Sequence, residues 1–106
     1  VKVRVIVGNS SPDLASISRV KAAGGKVVVT GPMSGNGTAA NPYIHAKAIV
    51  IDCSGTTCAR GYVGSENFSA GSLGYNRELG VIFSAPSELA KLKAAIDTDF
   101  AAGVAQ

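Results

Sequence analysis

With 106 residues, 46% of them hydrophobic and 16% charged, the chain is sized for one domain that buries well over half of its unfolded surface. This balance excludes a disordered segment, and no apolar run approaches the roughly 18 residues of a membrane span. A net charge of +3 permits a phosphate-bearing partner, but the lysines and arginines are scattered and form no basic run of the kind that nucleic-acid binding favours.

The chain opens on Val1-Lys2-Val3-Arg4-Val5-Ile6-Val7, an alternating strand with no initiator methionine and no signal-like segment, so we expect a processed or excised piece of a parent protein. Ser11-Pro12-Asp13 is expected to open a helix, with Ser11 as its cap and proline in the first turn. Leu14, Ile17 and Val20 form its apolar stripe, and Gly24-Gly25 stop it. Lys26-Val27-Val28-Val29-Thr30 is almost continuously apolar, which predicts a strand in the middle of a sheet. Strand, helix and strand in this order make a parallel βαβ unit with a right-handed crossover.

Residues 31–42 are a connection rich in Gly, Asn and Thr, leading into a predicted strand over 43–51. A loop containing both cysteines follows, then a strand over 59–64 that completes an antiparallel hairpin. Residues 65–76 read as a Gly- and Ser-rich loop with one helical turn, and 78–83 as a further strand. Pro86 starts a final helix with Leu89, Leu92, Ile96 and Phe100 on one face. The expected class is α/β, a mixed β-sheet flanked by helices, in a single domain over 1–106.

The chemistry concentrates around His45, the only histidine in the chain. On a strand, His45 and Lys47 project from the same side. An imidazole is a nucleophile near neutral pH, and a neighbouring ammonium neutralises phosphoryl oxygens, so the pair suits attack on a group carrying negative charge. Asp52 has the opposite parity and is expected to anchor the strand end. Cys53 and Cys58, four residues apart in a Ser-Gly-Thr-Thr turn, read as a disulfide staple of an exported protein, secreted or periplasmic; two reduced thiols in a cytosolic one remain the other reading. One histidine and one cysteine pair do not supply a metal-ligand set, and neither a metal nor a cofactor is expected.

His45-x-Lys47-x-x-x-x-Asp52, then Gly64-Ser65-x-Asn67, then Asn76-x-Glu78, resemble the HKD signature of the phospholipase D superfamily. The ending Arg77-Glu78-Leu79-Gly80-Val81-Ile82-Phe83 before a helix is most similar to the C-terminal half of phospholipase D or cardiolipin-synthase-like proteins. The cysteine loop departs from the pattern by lengthening the turn between Asp52 and Gly64, without touching a motif position.

The resemblance implies a phospholipase D-like fold carrying one HKD half, with His45 as the nucleophile of a covalent phosphohistidine intermediate. It implies that Lys47, Ser65 and Asn67 hold the phosphate oxygens, that Glu78 orients the histidine, and that Asp52 supports the motif. A second HKD histidine protonates the leaving alcohol in this family. Since the chain has no other histidine, that partner is expected from another half of the same parent or from an identical chain in a dimer. The implied substrate is a phospholipid. The alternatives are a nuclease that dimerises to act on nucleic acid, and a non-catalytic half that supports the fold or binds phosphate.

Overall fold

The computed structural model describes residues 2–9, 12–33, 35, 37–67 and 69–106. The chain is α/β, and among the described residues the strands form two three-stranded sheets, one of them mixed, where one mixed sheet was expected. Two compact units result, one of residues 1–45 with 97–106 and one of residues 46–96.

The first unit is built on β1 (Arg4–Gly8), α1 (Leu14–Ala22) and β2 (Lys26–Thr30), with β1 and β2 parallel from Arg4↔Lys26 to Gly8↔Thr30. The three consecutive valines of β2 are all buried, consistent with its central place in the order β1-β2-β6. Because side chains alternate along a strand, Val27 and Val29 share one face. They meet Ile17 of α1 in a core closed by Val5, Val7 and Val20. Leu14, expected in the same stripe, is instead exposed at the first position of the helix.

The α1 cap is Asp13, whose carboxylate accepts from the Ala15 and Ser16 amides; Ser11, the expected cap, lies outside the described residues. An aspartate here satisfies two of the donors that a helix start leaves unpaired. The helix ends where Gly25 N–H donates to Val20 and Gly24 N–H to Lys21, with Gly24 at φ +85° in the left-handed region that favours glycine.

This unit also receives the end of α3 (Pro86–Ala102), where Asp97 pairs with Arg4, whose guanidinium lies 5.1 Å from the centre of the Phe100 ring. After the helix the chain adds a strand that the hydrophobic pattern does not announce, β6 (Val104–Ala105), antiparallel to β2.

The second unit holds the antiparallel sheet β3 (Lys47–Ile51), β4 (Arg60–Gly64) and β5 (Gly80–Phe83). Cys53 and Cys58 are bonded in the turn between β3 and β4, a turn closed by the Ser54–Thr57 bridge. Leu89 of α3, 1% exposed, packs with Phe83 over Gly61: a methyl group at Gly61 would lie 2.8 Å from Leu89 Cδ2 and 2.9 Å from Phe83 Cζ. One helical turn, α2 (Ala70–Gly74), is capped by the Ser69 hydroxyl. No helix of the described residues is long and apolar enough to cross a membrane.

Candidate active site

The strand expected over 43–51 begins only at Lys47, paired with Gly64. The β3–β4 register runs from Lys47↔Gly64 to Ile51↔Arg60, and past Gly64 the Ser65 amide donates to the Leu79 carbonyl on the β5 side. His45 therefore precedes the strand, and strand alternation does not fix its direction as expected. It is exposed, with its ring 5.9 Å from that of Tyr43, and it belongs to the first unit, whereas Lys47 belongs to the second.

Asp52 also falls outside the strand, which ends at Ile51. Its φ of 53° is in the left-handed region, where aspartate is among the few non-glycine residues found regularly. The parity argument for Asp52 thus gives way to a backbone one: it is the residue at which the chain turns out of β3 toward the disulfide loop. It is exposed.

The polar centre of the second unit is Glu78, two residues ahead of β5 and not within it as expected. Ser65 Oγ donates to its Oε2 at 2.6 Å. Ser72 Oγ donates to Oε1, which also receives Asn76 Nδ2 at 3.4 Å. These contacts, the Ser65 and Ser72 hydroxyls foremost, hold the Glu78 carboxyl below its ordinary value, and the positive charge of Lys47 adds to the effect. Residues from three separate stretches of chain, 65–67, 72–78 and Lys47, are thereby gathered about one carboxylate.

Ser65 has a single hydroxyl proton, and it is directed at Glu78; its oxygen accepts from the Leu79 amide at 3.2 Å. In this arrangement Ser65 braces the carboxylate. Asn67 presents an exposed side chain while its backbone N–H donates to Ser72 Oγ at 2.9 Å.

Ser72 carries no expectation from the sequence, yet it is the buried polar residue of the site, 4% exposed. The signal was present in the spacing: Ser69 caps the turn, which sets Ser72 three residues on, at the position from which a side chain reaches back over the helix start.

Beside this cluster, Lys47, Gly64 and Gly80 lie in one row across the sheet. The two glycines leave space that the Tyr62 ring occupies; a methyl group at Gly80 would stand 2.6 Å from Tyr62 Cε2. Tyr62 donates its hydroxyl to Glu66, and this bond, followed by desolvation and the charges of Glu66 and Glu78, pushes the phenol up to about 12. Among the described residues no three His, Cys, Asp or Glu side chains converge to hold a metal ion.

In this α/β chain the Gly-Ser-x-Asn turn and the Asn-x-Glu segment thus meet at one carboxylate on which the charge of Lys47 acts. Residues 1–101 match the family described as the phospholipase D-like domain of cardiolipin synthase, and the chain belongs to that family. It is accordingly a member of a superfamily of phosphodiesterases and phosphatidyltransferases. Comparison with curated proteins and with solved structures returns no match.

Proposed function

We propose that this chain is one HKD half of a phospholipase D-type enzyme that hydrolyses or transfers phosphatidyl groups of phospholipids through a phosphohistidine on His45. The observation that carries this reading is the Glu78 cluster, in which the Gly-Ser-x-Asn and Asn-x-Glu segments meet with the charge of Lys47. The family match, named for a phospholipid-synthesising enzyme, supports a lipid substrate over a nucleic acid.

In the first step an imidazole nitrogen of His45 forms a bond to phosphorus, and the bond from phosphorus to the head-group oxygen breaks. The departing oxygen takes a proton from the histidine of a second HKD motif, supplied by another half of the parent or by an identical chain. In the second step water or an acceptor alcohol gives its proton back to that histidine and attacks phosphorus, and the phosphorus–nitrogen bond breaks. Lys47 and Asn67 neutralise and hydrogen-bond the non-bridging oxygens, whose charge is greatest at the transition state. Ser65 joins them when its hydroxyl turns from Glu78. The carboxylate accepts from the second nitrogen of the nucleophile and supports its developing positive charge. Secretion or periplasmic export fits the disulfide between Cys53 and Cys58.

The test is an assay of the enzyme with both motifs present, on phosphatidylcholine or phosphatidylglycerol vesicles and on single-stranded DNA. Release of head group, abolished by His45→Ala, is expected. Cleavage of DNA without lipid turnover overturns the substrate; no turnover of either points to a non-catalytic half.

A further inference from the structure

Ser72 lies between two groups that the mechanism uses separately. Its oxygen accepts from the Asn67 amide at 2.9 Å, and its proton goes to Glu78 Oε1. A hydroxyl that donates and accepts at once transmits polarisation from one partner to the other, more so when shielded from water. Ser72 is so shielded, and its own amide is fixed by the Ser69 hydroxyl at 3.3 Å.

We infer that Ser72 is a positioning residue that locks the phosphate-binding turn at Asn67 to the orienting carboxylate of Glu78, so that the two are set by one buried hydroxyl. The catalytic part of this role rests on the assignment of Glu78 above. Ser65 serves as an internal control. It also donates to Glu78, but its acceptor contact runs to Leu79 and not to Asn67. The charge of Lys47 of β3 acts on the carboxylate, the carboxylate acts in turn on Tyr62 of β4, and Glu66 holds the Tyr62 hydroxyl. All three stay unchanged when Ser72 alone is replaced.

The experiment follows the Glu78 side-chain carboxyl by NMR titration, together with hydrogen exchange of the Asn67 amide, in wild type, Ser72→Ala and Ser65→Ala. Ser72→Ala is expected to move the Glu78 titration up toward its ordinary range and to speed Asn67 exchange on the order of tenfold. Ser65→Ala is expected to move the titration while leaving the Asn67 amide protected. Unchanged titration and exchange in Ser72→Ala overturn the proposal, as does equal loss of Asn67 protection in both variants.

A wild-type measurement keeps the question open to refutation should Ser72→Ala not fold. The Asn67 amide resonance is expected to shift with the Glu78 titration, and an amide blind to it overturns the link. None of these readouts requires turnover. An enzyme with both motifs whose rate ignores Glu78→Gln would therefore remove the assignment of Glu78 while the link through Ser72 stands.

Discussion

The two compact units are organised around opposite kinds of side chain. In the first, α1 is sealed onto the β1–β2 pair by Ile17, Val27 and Val29, apolar groups whose removal leaves a void. In the second, the buried hydrophobic side chain among the described residues is Leu89, and the carboxylate of Glu78 accepts from Ser65, Ser72 and Asn76. The first unit is specified by volume and the second by hydrogen-bond direction. Substitutions should therefore separate into those that cost stability and those that cost chemistry.

The largest effect is expected where a residue of the first unit carries the chemistry. His45→Ala should lower turnover of the enzyme with both motifs on the order of 10⁴-fold or more. Since His45 is exposed, thermal melting should be unchanged. Activity near the wild-type level would show that the nucleophile lies elsewhere.

Next come the apolar centres. Leu89→Ala and Ile17→Ala should each destabilise by about 2–5 kcal/mol in urea unfolding, because both leave cavities in buried sites. A loss below about 1 kcal/mol would mean that the surrounding chain collapses into the space, and at Ile17 that volume does not specify the first unit.

Glu78→Gln keeps the shape and removes the charge. Turnover should fall by at least about 10²-fold, by the logic of an acid that orients a histidine. The stability effect has a defined direction. Folding depresses the Glu78 pKa, so the charged form stabilises the folded chain fully above its ordinary value of 4.5, and that contribution is lost as pH falls through the lower folded value. The wild-type advantage over Glu78→Gln should therefore be present at neutral pH and shrink on acidification. An advantage that grows in acid would contradict the hydrogen-bond directions described above.

The smallest effect concerns Tyr62. Its phenol is raised from 10.0 to about 12, so the stability contributed by the protonated form is complete below pH 10.0 and is lost as pH rises through about 12. Glu66→Gln should bring the phenol down, read as tyrosinate absorbance at lower pH. An unmoved titration would place the cause outside the Tyr62–Glu66 bond.

Much of the first unit was legible because its instructions are local and apolar. Three adjacent valines announce a central strand, and Gly24-Gly25 announce the helix end. What failed depended on partners. The pattern of residues 43–51 predicts a strand that includes His45, but pairing with β4 begins only at Lys47↔Gly64, a fact held by the opposite chain. Asp52 lost its parity to one left-handed backbone angle. β6 is two residues long and has no period to read, and the strands do not state how they divide between sheets. Of the candidate site, the roles of Ser65, Asn67 and Glu78 come from the family resemblance; in the structure the Ser65 hydroxyl reaches Glu78 directly, the Asn67 amide reaches it through Ser72, and the charge of Lys47 acts on it. Ser72 was missed because a serine in Ser-Ala-Gly-Ser looks like loop composition until the cap at Ser69 fixes its direction.

The central claim is that His45 carries the phosphoryl group during turnover. Acid-labile, base-stable adducts define a phosphohistidine, so the deciding measurement is mass spectrometry of the enzyme with both motifs, quenched in base during turnover of phosphatidylcholine. The account predicts a phosphatidyl adduct on His45 that vanishes in His45→Asn. An adduct on any other residue of this chain, or full activity from strictly monomeric 1–106, which contains one histidine, would contradict it.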